Sequence, residues 1–192
     1  MLKNRTHTCG ELTEASINNK VVLNGWISKT RDLGSVIFVD LRDRYGKTQL
    51  VFNADINLDS FNSAKKLSLE DVIGIEGMVV ARPDEAKKKD ILTGSIDIEV
   101  TSLMIYNKSL TPPFDINDRQ SAMEDHRLKY RYLELRTAEL QKNLIIRHKA
   151  SILTRNFLSK QNFIEVETPI LMKSTPEGAR DFLVPSRLHK GK

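Results

Sequence analysis

Cysteine is almost missing from this chain of 192 residues, where Cys9 is the one thiol. A single thiol excludes an internal disulfide and any zinc site built on cysteines. The four histidines, at positions 7, 126, 148 and 189, are scattered without ligand spacing. Apolar runs of membrane-spanning length are lacking, and the N-terminal Met1-Leu-Lys-Asn-Arg-Thr-His7 has no apolar signal core. Neither a glycine-rich phosphate loop nor a Ser/His/Asp set is present. The expectation is an intracellular, cytoplasmic protein that binds no metal through these residues and carries no nucleophile of a familiar kind.

Hydrophobic residues at 40% and charged residues at 29% describe an ordinary globular composition, long enough for one domain and part of another. The net charge of +5 favours an acidic partner such as nucleic acid, though only mildly. Up to Tyr106 the pattern is short strands with period-two alternation, separated by Gly, Asn and Asp turns. The spacing predicts strands over Val21–Ser28, Val36–Arg42, Gln49–Asn53, Val72–Arg82 and Ser95–Tyr106, with a helix over Asn57–Leu69 after the third. Five strands in that order predict an OB-fold β-barrel, a common binder of single-stranded nucleic acid. Periodicity fades around Asn107–Arg119, and Thr111-Pro112-Pro113 cannot be helix interior. Residues 1–106 are therefore expected to form the barrel and 107–137 a linker. From Ala138 to Lys160, Ile146, Ala150, Leu153 and Phe157 make one stripe of a long helix. Asn162 is a left-handed stop, and Phe163–Leu171 reads as a strand interrupted by Pro169, at an edge or interface.

Alternation sorts the barrel residues by face. Ile37, Val39 and Leu41 form a core set, which puts Phe38 on the opposite face with Asp40 and Arg42. By the same rule Gln49, Arg82, Asp97 and Glu99 point outward. An outward aromatic beside an amide, a guanidinium and a carboxylate is what unstacked bases require: the ring stacks, and the polar groups bond to base edges. Arg31, expected in the turn after the first strand, is placed to hold a phosphate or a base. The competing reading packs Phe38 under a loop or helix, with Arg31 simply solvated.

Ser174-Thr-Pro-Glu-Gly-Ala-Arg-Asp-Phe-Leu-Val-Pro-Ser-Arg187 resembles the substrate-closing loop of bacterial-type aspartyl-tRNA synthetases. Gly25-Trp-Ile27, Arg31-Asp-Leu-Gly34, Phe38-Val-Asp-Leu-Arg-Asp43 and Gly46-Lys-Thr-Gln-Leu-Val-Phe52 are similar, in order and spacing, to that family's anticodon-binding barrel. Leu128–Arg136 resembles its hinge, and the long helix with Phe163–Leu171 resembles motif 1 of class II synthetases. The resemblance covers about Arg5 to Lys192 and implies an α+β chain: an OB-fold barrel over 1–106, a hinge over 107–137, and the start of a class II antiparallel catalytic domain over 138–192.

What the family implies for the residues is specific. Phe38 would stack on an anticodon base, Gln49 would read its edge and Arg31 would contact the anticodon loop, with Arg82 and Asp97 completing the surface. Lys29-Thr30 precedes that arginine where the family usually has basic residues, which implies weaker contacts to the loop. Leu33 matches the Asp-Leu-Gly form of members that charge tRNA-Asp alone. Pro169 would lie in a homodimer interface. Glu177 would bind the α-ammonium group of aspartate, and Ser174, Thr175, Pro176, Gly178, Ala179, Arg180 and Asp181 would form the lid around it. The implied reaction converts L-aspartate and ATP, with Mg²⁺, to aspartyl-adenylate and then charges tRNA-Asp.

The family's motif 2, motif 3 and aspartate pocket do not occur in these residues. The expectation is an N-terminal part that binds the anticodon stem-loop of tRNA-Asp and does not activate aspartate alone, with neither ATP nor Mg²⁺ bound tightly. Three other readings compete: a free-standing OB-fold module for tRNA or other single-stranded nucleic acid, a lysyl- or asparaginyl-tRNA synthetase, and a structural protein with a basic surface.

Overall fold

The computed structural model describes residues 4–88, 91–118, 120, 122–170, 178, 182 and 184–189. Two compact units divide at Tyr130/Arg131. In the first, β1 (Lys20–Asp32), β2 (Val36–Arg42), β3 (Lys47–Asn53), β4 (Val72–Ala81) and β5 (Ile96–Asn107) close a barrel in the order β1-β2-β3-β5-β4. Helix α1 (Leu58–Ala64) lies between β3 and β4. Asn57 starts it, its side-chain oxygen accepting from the Ser60 N–H at 2.8 Å.

Closure follows from the length of β1. Its N-terminal half pairs with β4 and its C-terminal half with β2, and Trp26 faces Val72 on one side and Arg42 on the other. A bulge between Ile27 and Lys29 separates the halves and turns the strand around the barrel. β3 and β5 run parallel and seal the last seam. Inside, Leu23, Ile27, Val39, Leu41, Leu50, Phe52, Ile73, Ile75 and Ile98 are at most 2% exposed. The core set assigned to β2 by alternation, Ile37, Val39 and Leu41, is the one found.

Two expectations about the barrel are corrected. Arg31 lies within β1, opposite Phe38, because the strand continues past the bulge to Asp32. The helix is also shorter than Asn57–Leu69, ending at Ala64.

The start of the expected linker is bound to the barrel unit. Asp71, with a fully buried side chain, accepts from Lys108 Nζ at 2.7 Å, the Ser109 N–H at 2.8 Å and the Ser68 N–H at 2.8 Å. Further along, Phe114 and Ile116 are buried, and α2 (Glu124–Lys129) follows.

The second unit begins with α3 (Arg131–Glu134) and continues with α4, which spans Ala138–Lys160 as the spacing predicts. Asn162 takes the left-handed conformation at φ 64°. The strand expected over Phe163–Leu171 is not formed among the described residues, where 163–170 are irregular and exposed. A strand requires a neighbour for its backbone groups, and alternation within one segment does not supply it. Among the described residues no helix is long and apolar enough to cross a membrane.

Candidate nucleic-acid interface

Pleating presents the outward faces of β1, β2 and β3 as one surface. Arg31 faces Phe38 across the β1–β2 ladder, and Asp40 faces Gln49 across the β2–β3 ladder. The side chains meet as that register requires. Arg31 Nη2 donates to Gln49 Oε1 at 2.8 Å and lies 3.4 Å from Asp40 Oδ1. Its guanidinium carbon sits 5.7 Å from the centroid of the Phe38 ring. Three residues singled out from the sequence thus form one connected group, all of them partly exposed. Phe38 is partly exposed and is not part of the barrel core.

Asp40 belongs to this group as well. It was visible two residues from Phe38 on the same strand face, but its part in holding Arg31 depends on the β1–β2 register.

Arg82 and Asp97 depart from the expectation. Alternation puts them outward, yet they are only 5% and 6% exposed. Arg82 Nε and Nη2 both donate to Asp97 Oδ1, at 3.0 and 2.5 Å, and Nη2 also donates to the Ile96 carbonyl at 3.0 Å. Lys88, Ile91 and Thr93 of the β4–β5 connection line a small pocket with Arg82, Asp40 and Gln49. Thr93 Oγ1 ties that connection to β3 by donating to the Lys47 carbonyl at 2.5 Å. Arg82 therefore lines that pocket with Gln49, paired to a buried Asp97.

The β1–β2 turn is built locally. Asp32 Oδ1 accepts from the Gly34 N–H at 2.8 Å, and Gly34 takes φ +89°, a region that favours glycine. Leu33 is left 72% exposed at the tip.

Known proteins share this architecture. Residues 21–106 match the family described as OB-fold nucleic acid binding domain, and residues 123–192 match tRNA synthetases class II (D, K and N). The aspartate–tRNA ligase of Thermosipho melanesiensis is 53% identical over 188 residues, covering 98% of this chain and 32% of its own length. Along nearly its whole length the chain is similar to bacterial aspartate–tRNA ligases, with the barrel match preceding the class II match. A relative from Thermoanaerobacter sp., named aspartate–tRNA(Asp/Asn) ligase, is 50% identical over 98% of this chain and 32% of its own length. Among solved structures, the asparaginyl-tRNA synthetase of Pyrococcus horikoshii with asparaginyl-adenylate has a TM-score of 0.76 at 27% identity. It covers 90% of this chain and 38% of its own. The chain spans about a third of the length of the curated synthetases it matches.

The remaining synthetase positions fall differently. Glu177, Ser174, Thr175, Pro176, Ala179, Arg180 and Asp181 lie outside the described residues. Gly178 is described at φ +129°, a conformation suited to glycine. Pro169 is exposed. Among the described residues no group of three or more His, Cys, Asp or Glu is placed to hold a metal ion.

Proposed function

We propose that this chain is the tRNA-recognising part of an aspartate–tRNA ligase that acts in the cytoplasm. The whole protein would activate L-aspartate with ATP and Mg²⁺ and transfer it to tRNA-Asp. The observation that carries the reading is the Arg31–Phe38–Gln49 group on the outer face of a closed OB-fold barrel. Phe38 offers a ring face to a splayed anticodon base. Arg31 holds the Gln49 side-chain oxygen, which leaves the amide nitrogen to donate to a base edge. Arg82, paired to the buried Asp97, lines the pocket beside that amide and would bound the space a base can occupy.

The second unit would contribute motif 1 of a homodimer. Ile146, Leu153 and Phe157 on α4 are 55%, 68% and 64% exposed, an apolar stripe that a partner subunit would cover. Glu177 would receive the ammonium group of aspartate inside the loop from Ser174 to Asp181, with Pro169 in the dimer contact. Those roles follow from the family and need the longer protein to operate.

Two measurements on the purified chain test the reading. It should bind a hairpin carrying the tRNA-Asp anticodon more tightly than the same hairpin with substituted anticodon bases. It should also show no aspartate-dependent exchange of pyrophosphate into ATP. Equal affinity for the two hairpins would overturn the anticodon assignment, and measurable exchange would overturn the division of labour.

A further inference from the structure

At the end of the barrel away from the β1–β2 turn, two arginines from different segments converge on one exposed ring. Arg5 and Arg44 each place the guanidinium carbon 5.6 Å from the centroid of Tyr45, which is 55% exposed. The framework that brings them together is stiff. Asp43 accepts from the Tyr45 N–H at 2.7 Å, the Gly46 N–H at 3.0 Å and the Cys9 N–H at 2.9 Å, so one carboxylate ties the turn to the N-terminal segment. Thr48 Oγ1 adds a bond to the Cys9 carbonyl at 2.7 Å.

The two backbones touch where both lack a side chain. A Cβ on Gly10 would lie 2.3 Å from the Tyr45 carbonyl oxygen, and one on Gly46 would lie 2.6 Å from the Gly10 Cα. Arg5 is held upstream of this contact, since the Thr6 N–H donates to the Val22 carbonyl at 2.9 Å.

The carboxylates near these arginines are already engaged, Glu11 accepting from the Thr8 N–H and hydroxyl at 2.9 Å each. Asp43 approaches Arg5 at 3.6 Å, but its side chain is 4% exposed and accepts three N–H groups. Lys47 on the adjoining strand bonds to a neutral partner, Asn117 Oδ1, at 3.2 Å. Two guanidinium groups held against a ring, with a lysine beside them, make a site for a compact anion. Lys47 also shares the outward face of β3 with Gln49, two residues away and about 7 Å along the strand.

We propose that Arg5, Arg44 and Tyr45 form a phosphate-binding site for the RNA strand that passes over the Phe38–Gln49 surface. This rests on the reading of the barrel as an RNA-binding unit. An OB-fold engages roughly 4–16 nucleotides, more than the Arg31–Phe38–Gln49 group spans, and a backbone-holding site at the barrel end gives the strand its direction. Phosphate contacts position an RNA without reading its sequence.

The test is fluorescence anisotropy of the anticodon hairpin and of its base-substituted counterpart, titrated from about 50 to 200 mM salt. Arg44→Gln should lower the slope of log K against log salt by about 0.7, the share of one phosphate contact. The ratio of affinities for the two hairpins should stay as in the unaltered chain, and Arg44→Lys should restore the slope. Arg5→Gln should act alike, with Trp26 fluorescence checking that the barrel remains folded. An unchanged slope in a folded Arg44→Gln chain overturns the site, as does a change confined to the hairpin ratio. An unaltered chain that does not distinguish the hairpins defeats the anticodon reading while the slopes still decide the phosphate site. Absence of any RNA binding defeats both.

Discussion

Arg31 and Gln49 are 18 residues apart in sequence and on strands that do not pair with each other, yet their side chains share a 2.8 Å hydrogen bond. Arg31 has no acceptor, so the bond fixes the Gln49 side-chain oxygen on the arginine and leaves the amide nitrogen to donate to the proposed RNA ligand. Gln49→Glu keeps the acceptor and removes both N–H donors. The Arg31 contact should survive and strengthen, while a base edge that accepts loses its partner. Anticodon-hairpin affinity should fall roughly tenfold or more, the size of one lost hydrogen bond. Thermal unfolding followed by circular dichroism should barely change. A variant that binds as well as the parent would show that the amide does not read the RNA.

Phe38 tests the stacking half of the same surface. Its ring is partly exposed, with the Arg31 guanidinium 5.7 Å away. Truncation therefore removes little core. Phe38→Ala should weaken hairpin binding by roughly 1–3 kcal/mol, the usual value of one stacked base, as measured by anisotropy. Phe38→Tyr, which keeps the ring, should retain most of the affinity. Loss of stability in place of affinity would make the ring a structural residue.

How far these residues could be read in advance depended on whether the determinant was local. Alternation in Val36–Arg42 settles which side Phe38 faces, because pleating acts residue by residue. The i, i+4, i+7 stripe located α4 to its terminal residues for a similar reason. Arg82 and Asp97 show the limit. Alternation gives the side of the sheet, whereas burial depends on what lies over that side, here the β4–β5 connection and their own ion pair. The bulge that carries Arg31 into β1 is a property of two ladders meeting on one strand, and no short window contains it. The expected strand over Phe163–Leu171 met the same obstacle, since pairing needs a neighbour that local pattern cannot name.

Asp71 holds the exit of β5 through a buried carboxylate, and this makes barrel stability depend on acid. Burial pushes its pKa up, but hydrogen bonds from Lys108 and from the Ser109 and Ser68 N–H groups override that and hold it below the ordinary carboxylate value. A carboxyl that titrates lower in the folded chain stabilises the fold above its unfolded pKa of about 3.9, and the contribution ebbs as pH falls through the lowered value. Asp71→Asn should cost about 1–3 kcal/mol at pH 7, and the gap between parent and variant should close below about pH 4. Trp26 is the sole tryptophan and lies in β1, so urea titration of its fluorescence reports the barrel alone. A gap that persists unchanged at pH 3 would mean that the carboxylate charge is not what holds the exit.

The apolar side of α4 carries the last expectation. Leu153 and Phe157 sit one turn apart and are 68% and 64% exposed, and Phe163 beyond the helix is 66% exposed. Burying side chains of this size stabilises an interface by about 1.5–3 kcal/mol each, and in the proposed homodimer a second copy of the chain would cover them. Sedimentation equilibrium should show a dimer for the unaltered chain. The double change Leu153→Ser with Phe157→Ser should shift it to monomer, because two hydroxymethyl groups replace most of the apolar contact. The Trp26 unfolding midpoint should stay where it was, since neither residue belongs to the barrel core. If the serine variant remains dimeric, the association runs through another surface and α4 is not its seat.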